Sequence, residues 1–115
     1  MKRGDLYWAS LAPRSGSEQR GKRPVIIVSN DVFNEVETWM SVIVVPVSSS
    51  PAQARRGPTA VPLPAGSGGL KGNSIALCHQ VTTLDRSKFF NRIGSLPGLL
   101  LAQVEEGLKN AQDLP

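Results

Sequence analysis

Cysteine, histidine and aromatic residues are scarce in this 115-residue chain, which contains one Cys, one His and 5% aromatic residues. Cys78 therefore has no second cysteine for an internal disulfide, and one Cys with one His cannot supply the four ligands of the usual Cys/His zinc site. Because structural disulfides are typical of exported proteins, their absence favours the cytoplasm. We expect a cytoplasmic protein without a structural metal.

Long apolar segments are also lacking. The longest runs are short ones such as residues 42–47, whereas a membrane-spanning helix needs about 18 to 20 apolar residues. No apolar segment follows the charged N-terminus Met1-Lys2-Arg3, which therefore does not resemble a secretory signal. With 40% hydrophobic residues the composition is typical of a globular protein, and the length fits a single domain over residues 1–115.

The net charge of +4 is concentrated at one end of the chain, because residues 1–23 carry an excess of four positive charges and the remainder nearly cancels. The cations of this segment are Lys2, Arg3, Arg14, Arg20, Lys22 and Arg23. A basic surface of this kind attracts polyanions and is typical of contact with a phosphate backbone. An ordinary solvated surface has the same charge pattern, so charge alone does not decide the function.

Short segments rich in β-branched residues predict a mainly β fold. The strand signals lie at residues 6–11, 24–28, 39–47, 59–63 and 73–84. The second of them is nearly continuous in Val and Ile, which is typical of a strand buried on both faces. In the third, Pro46 indicates a bulge or an edge position.

Helical signals are confined to the C-terminal third. Residues 85–88 offer a helix start, and apolar residues then recur at spacings of three and four from Leu101 to Ala111, which predicts an amphipathic helix that begins near Pro97. Several short strands with one terminal helix indicate a small barrel or rolled sheet packed by that helix.

Two motifs near the N-terminus carry a specific resemblance. They are RGDLYW at residues 3–8 and GSEQRGKRPV at residues 16–25, and VSND at 28–31, VVPVS at 44–48 and SIALCHQV at 74–81 extend the match. Together with the closing helix, these segments resemble the MazF/PemK family of toxin endoribonucleases over most of the chain.

The resemblance implies an SH3-like β-barrel of the CcdB/MazF type with short helices and a C-terminal helix. It implies a homodimer whose shared groove holds single-stranded RNA. The expected activity is sequence-selective cleavage without a metal, in which the ribose 2′-hydroxyl attacks and leaves a 2′,3′-cyclic phosphate and a 5′-hydroxyl. A cognate antitoxin with an acidic, partly disordered segment is the expected protein partner.

The resemblance also implies catalytic residues. Arg23 matches the family's catalytic arginine, and we assign it electrostatic stabilisation of the transition state, because a guanidinium rarely gives up its proton. Ser48 stands where the family usually has threonine, and Ser49 replaces it if the register shifts by one. Glu18 is the candidate general base. The alternatives are a surface arginine, a hydroxyl bonded within a turn, and a salt bridge of Glu18 to a neighbouring cation.

Further polar residues are expected to contact RNA. Gln80 matches a family position that contacts bases, His79 is a possible contact or a packed histidine, and the groove rim is expected to contain Gln19, Arg20 and Lys22. Because aromatic residues favour cores and interfaces, we expect the aromatic residues Tyr7, Trp8 and Trp39 to be core or dimer contacts and not stacking platforms.

Two other functions stay open. A related toxin family of the same fold poisons DNA gyrase through its last helix, with a contact that includes tryptophan, whereas this chain ends in NAQDLP without an aromatic residue. The second alternative is an RNA-binding module that has the same groove but does not catalyse cleavage.

Overall fold

The computed structural model describes residues 1–11, 16, 18 and 21–115, and within these ranges the chain forms seven strands and two α-helices. The strands are β1 (Asp5–Ser10), β2 (Lys22–Ile27), β3 (Ser41–Ser48), β4 (Ala60–Leu63), β5 (Ser74–Leu77), β6 (Thr82–Asp85) and β7 (Phe89–Ser95). The helices are α1 (Asp31–Asn34) and α2 (Gly98–Gln112), and short 3₁₀ turns connect several strands. The expectation of a mainly β chain with a C-terminal helix is confirmed.

All strand pairs are antiparallel, in the order β4-β5-β3-β2-β1-β7, with β6 also paired to β3. Strand β3 is therefore central, and the expectation that Pro46 marks an edge is wrong. Pro46 lies between Val44, which pairs with β6, and Val47, which pairs with β5. The ladder on that side of β3 is interrupted there, which is where a residue without an N–H is tolerated.

The sheet separates two apolar clusters. Ile26 and Val45 belong to the larger one, which α2 covers with Val104, whereas Val25 and Val44 belong to the smaller one. Neighbouring residues of β2 thus point to opposite clusters, as the period of two in a strand requires. This arrangement confirms the expectation that this strand is buried on both faces, since Val25, Ile26 and Ile27 are each 0% exposed.

Helix α2 follows Pro97, as the apolar spacing predicts, and packs closely on the 3₁₀ turn Cys78–Gln80. The contact is at Gly107, where a side-chain Cβ would lie 2.7 Å from the Cys78 sulfur. The Cys78 thiol in turn donates to the carbonyl of Val104, 3.6 Å away. No helix in the described part of the chain is long and apolar enough to cross a membrane.

The C-terminal half of the sheet departs from the sequence-based expectation. The single strand expected at residues 73–84 is two strands, β5 and β6, separated by the turn at Cys78–Gln80. The helix start expected at residues 85–88 is one 3₁₀ turn, in which the Asp85 carboxylate accepts from the Ser87 N–H at 2.9 Å. Strand β7, which pairs with β1, was not predicted.

A glycine crossing fixes the loop between β4 and β5 against β7. Gly68 has φ +55°, and a Cβ on Gly94 would collide with the carbonyl oxygen of Gly68. Next to it, a Cβ on Gly69 would lie 2.7 Å from the carbonyl oxygen of Ile93. The two main chains therefore touch directly, because neither side of the crossing carries a side chain that could hold them apart.

Candidate functional site

A cavity of about 460 Å³ opens where the start of β2 meets the end of β3. The residues after the glycine crossing, Gly69 to Gly72, and the middle of β7 form its other walls. Its described lining is Trp8, Lys22, Arg23, Pro24, Val47, Ser49, Gly69, Leu70, Lys71, Gly72, Ser74, Asn91, Arg92 and Ile93.

The cavity is strongly basic. Four of its described lining residues are cations, Lys22, Arg23, Lys71 and Arg92, and none of those described is acidic. Part of the charge of Arg92 is engaged outside the cavity, because its Nη2 lies 3.4 Å from Oδ1 of Asp5. An apolar floor of Val47, Leu70 and Ile93 beneath the cations lowers screening by water. The arrangement fits a polyanion better than a neutral ligand.

Arg23 is the second residue of β2, and strand pairing with β1 fixes its backbone. It pairs with Ala9 of β1, and its neighbour Pro24 pairs with Trp8. On the other side of β2, Val25 pairs with Pro46. The pairing of β2 with β3 ends there; a continuation of this register by two residues would set Arg23 opposite Ser48.

Neither Ser48 nor Ser49 alone has all the properties expected of the catalytic hydroxyl. Ser48 is 4% exposed, and its Oγ accepts from the N–H of Ser50 at 3.1 Å, which is the turn contact weighed against a catalytic role. Ser49 is exposed and lines the cavity with Arg23. The strand register thus favours Ser48, whereas exposure to the cavity favours Ser49.

The loop before β2 supplies the remaining N-terminal candidates. Glu18 is exposed in a bend, and Gln19 and Arg20 lie outside the described residues. Lys22 is exposed and lines the cavity, and its contact with RNA stays a prediction. Its ammonium lies over two aromatic rings, 5.7 Å from the centroid of Trp8 and 4.8 Å from that of Phe90.

His79 and Gln80 lie at the other end of β5 from the cavity. Ser74, the first residue of β5, lines the cavity, whereas both of these residues follow its last residue. His79 is exposed, and its Nε2 lies 3.4 Å from the amide nitrogen of Gln80. Burial raises the pKa of the preceding Cys78 to about 11, so this thiol stays neutral near pH 7 and is a poor nucleophile.

Sequence reasoning missed the far wall of the cavity. Lys71 and Arg92 come from segments that carried no motif, and they reach the cavity because β7 pairs with β1 and the glycine crossing holds residues 69–72 against it. Among the aromatic residues, Tyr7 packs edge-on against Phe89, with centroids 5.8 Å apart. Trp8, in contrast, is 38% exposed and lines the cavity, so it is not a core residue, and its alternative expectation as a dimer contact stays a prediction.

Comparison with known proteins places this fold among toxins. Residues 2–111 match the family model described as PemK-like, MazF-like toxin of type II toxin-antitoxin system. The chain is 33% identical over 109 residues to Endoribonuclease EndoA of Bacillus subtilis, covering 95% of this chain and 91% of that protein. It is 34% identical over 117 residues to Endoribonuclease MazF9 of Mycobacterium tuberculosis, covering 99% and 98%.

Solved structures agree with the sequence comparison. MazF (Form-I) from Deinococcus radiodurans is similar with a TM-score of 0.81 and 30% identity over 99% of this chain and 97% of that one. A chain of the MazE-MazF (Form-II) structure from the same organism has a TM-score of 0.75 and 29% identity, over 100% and 97%. The expected barrel of the MazF type is thereby confirmed.

Proposed function

Because the chain belongs to the PemK-like, MazF-like toxin family of type II toxin–antitoxin systems, we propose that it is an endoribonuclease that cleaves single-stranded RNA. The observation that carries the proposal is the basic cavity that Arg23 shares with Ser49 and the end of β3. A phosphodiester bound there meets a guanidinium and a hydroxyl at once. These are the groups needed to hold a phosphate and to stabilise charge that develops on it.

The proposed reaction is an internal transfer at phosphorus. The ribose 2′-hydroxyl loses its proton to a base and attacks the adjacent phosphorus, and the bond to the 5′-oxygen of the next nucleotide breaks. The products are a 2′,3′-cyclic phosphate and a 5′-hydroxyl, whose proton comes from a general acid or water. The nucleophile belongs to the substrate, so the step itself requires no metal-bound water.

Arg23 is proposed to stabilise the transition state. Its planar fork matches two phosphoryl oxygens, and its position in a paired strand limits the motion of its backbone. Ser48 or Ser49 is proposed to bind the scissile phosphate, and Glu18 to accept the proton of the 2′-hydroxyl. Lys22 and Lys71 then hold the flanking phosphates, as cations on a nucleic-acid surface typically do.

A protein partner is also proposed. Chains similar to this one occur in the MazE-MazF structure from Deinococcus radiodurans and in a structure of a mycobacterial endoribonuclease in complex with its cognate antitoxin. An acidic antitoxin segment is complementary to the basic cavity described above and would exclude RNA from it. We propose the cavity as the surface that such an antitoxin covers, on a homodimeric toxin.

The test is cleavage of a mixed-sequence RNA in excess EDTA, with analysis of both new ends. Wild-type protein should produce cyclic-phosphate and 5′-hydroxyl ends, and Arg23→Ala should lower the rate by about 100- to 1,000-fold. Lys109→Ala is the matched control, since Lys109 is a cation of α2 paired with Glu106 at 3.5 Å and distant in sequence from the cavity.

The alternatives give different results in the same assay. Intact RNA that is retained by the protein in a salt-sensitive manner would indicate a binding module without catalysis. Intact RNA together with trapped gyrase–DNA complexes would indicate a gyrase poison. Either outcome contradicts the proposed ribonuclease.

A further inference from the structure

We propose that Trp8 and Phe90 form a stacking platform for one unpaired base of the RNA substrate, next to the site of cleavage. The inference rests on the proposed ribonuclease function and adds a subsite to it. The platform consists of the Trp8 ring, which lines the basic cavity, and the ring of Phe90, which precedes the lining residue Asn91, with the Lys22 ammonium over both rings.

Both rings are accessible to solvent. Trp8 is 38% exposed and Phe90 53% exposed. Burial of such rings is favourable, so their exposure beside a basic cavity marks them as binding surface. Tyr7 and Phe89, their neighbours in sequence, instead pack against each other at the smaller core cluster.

The strand geometry explains why the two rings meet. Trp8 pairs with Pro24 of β2, so it stands on the same face of the sheet as Pro24 and Lys22. On its other side β1 pairs with β7, through Ala9 with Phe89, and the register shifts between Tyr7 and Ala9. Because successive side chains alternate between the faces of a strand, Phe90, which follows Phe89, lies on the face that carries Trp8, where the Lys22 ammonium reaches both rings.

Stacking on such rings suits single-stranded RNA. Unpaired bases expose a flat π-face, and proteins that bind single strands combine aromatic platforms with cations that follow the backbone. Here Lys71 and Arg92 supply cations in the same cavity, and Asn91 supplies an amide next to Phe90. A base on the platform therefore leaves its phosphates within the basic lining and its edge near a hydrogen-bonding side chain.

Lys22 contacts the two rings in the free protein and is expected to contact a phosphate when RNA is bound. Its distances of 5.7 and 4.8 Å from the ring centroids are in the range of cation–π contact, which is weak at exposed sites. A stacked base is the stronger partner for the rings, and the flexible lysine can then move to a phosphate. The ammonium thus covers the apolar rings until RNA arrives.

The test is a coupling experiment between the platform and individual bases. The wild-type cleavage sequence is mapped first, and an oligonucleotide of that sequence with 2′-fluoro sugars is used for binding, because it lacks the attacking hydroxyl. Each base in turn is then replaced by an abasic nucleotide. At one position, loss of the base should raise the Kd for wild-type protein by about 5- to 150-fold, the range of one stacked base.

The variants remove the rings and keep the bulk. In Trp8→Leu/Phe90→Leu, the intact oligonucleotide should bind about as weakly as the abasic one binds to wild type, and the same abasic replacement should have no further effect. Trp8→Phe and Phe90→Tyr, which keep aromatic rings, should restore most of the affinity. Fluorescence of Trp8 in a Trp39→Phe background should be quenched by the intact oligonucleotide and much less by the abasic one.

The outcomes separate this inference from the proposed function. If wild-type protein cleaves RNA but the abasic effect is equal in wild type and the double variant at every position, the platform is refuted and the ribonuclease stands. If no RNA is cleaved, both are overturned. If the double variant loses affinity for an acidic antitoxin segment and none for RNA, the rings are a protein-docking surface and the RNA platform is wrong.

Discussion

The guanidinium of Arg86 donates from Nε to the main-chain carbonyl of Trp39 at 2.6 Å. Its Nη2 also reaches the carbonyls of Asn34, at 2.8 Å, Phe33 and Val36. One side chain from the turn after β6 thus donates to four carbonyls, two at the end of α1 and two in the segment between α1 and β3. A segment of this kind, with few regular hydrogen bonds of its own, depends on such a partner for its conformation.

Arg86→Ala should therefore lower the free energy of unfolding by about 2–3 kcal/mol, because it leaves several carbonyls without their charged donor. Arg86→Lys should recover little of the lost free energy of unfolding, since an ammonium cannot reproduce the planar fork of N–H donors of a guanidinium. Urea denaturation measures the change. Lys109→Ala, which removes an exposed pair, is the control and should change stability by less than about 0.5 kcal/mol.

Gly107 and Gly98 give a matched pair in one helix. Alanine at Gly107 would set its Cβ 2.7 Å from the Cys78 sulfur and 2.9 Å from Val61, and the strain should outweigh the gain in helix propensity. We expect a loss of about 1–2 kcal/mol in unfolding free energy. At Gly98 no atom lies within 4 Å of the added Cβ, so alanine there should be neutral or stabilising.

The explanation can be checked by removing the sulfur. In a Cys78→Ala background, the penalty of Gly107→Ala should shrink, because one of the two close contacts is gone. An unchanged penalty would show that the strain comes from Val61 or from the helix itself. Thermal unfolding of the four proteins in parallel is sufficient for the comparison.

The ionisation of Asp5 should make the free energy of unfolding depend on pH in the acidic range. Burial alone would raise its pKa, but hydrogen bonds from Ser95, at 2.5 Å, from the Lys2 N–H, at 3.0 Å, and from Arg92 lower the pKa overall. A carboxyl whose pKa is lower in the folded state stabilises the fold above its unfolded value, near pH 4, and this contribution disappears as the pH falls through the folded value.

Asp5→Asn should thus be less stable than wild type by about 1–2 kcal/mol at pH 7, and the difference should narrow below about pH 4. Urea midpoints measured from pH 2 to pH 7 give both curves. A difference that stays constant across this range would mean that the charge of Asp5 contributes nothing and only the geometry of its hydrogen bonds matters.

Ser48 and Ser49 can be separated by activity. We expect Ser48→Ala to slow RNA cleavage while leaving the fold and RNA affinity largely intact, since Ser48 stands at the motif position of the family's hydroxyl and a continued β2–β3 register would set it opposite Arg23. If turnover is unchanged in Ser48→Ala and falls in Ser49→Ala, the hydroxyl that lines the cavity has the role instead. Ser48→Thr, which restores the family's usual residue, should keep or increase the rate.

The parts of the fold that followed from the sequence are those with local causes. The Val and Ile run at residues 24–28 is buried on both faces whatever its partners, and the apolar spacing after Pro97 predicts a helix without reference to the sheet. Strand β7 has no such signature. It is mostly exposed or half-buried, and it is a strand because β1 pairs with it across more than 80 residues of chain.

The candidate site shows the same contrast between residues that the local sequence identifies and residues that only the fold brings together. Arg23 was found because it stands in a motif, and it does line the basic cavity. Lys71 and Arg92 were missed because nothing in their local sequence distinguishes them from ordinary surface cations. His79 and Gln80, which the motif suggested, lie in a single chain at the opposite end of β5 from the cavity. Their proposed RNA contacts remain a prediction that depends on how two copies assemble.

The glycine crossing has a consequence for how this toxin can diversify. Where Gly68 meets Gly94, the two main chains are in direct contact, so a side chain added at either residue would collide with neighbouring atoms. Substitutions that change the preference for RNA sequence are therefore expected outside the crossing, at exposed positions such as Trp8, Lys22 and Asn91. A saturation library of this chain should tolerate very few substitutions at Gly68, Gly69 and Gly94 and many more at Gly72, where an added Cβ meets no atom within 4 Å.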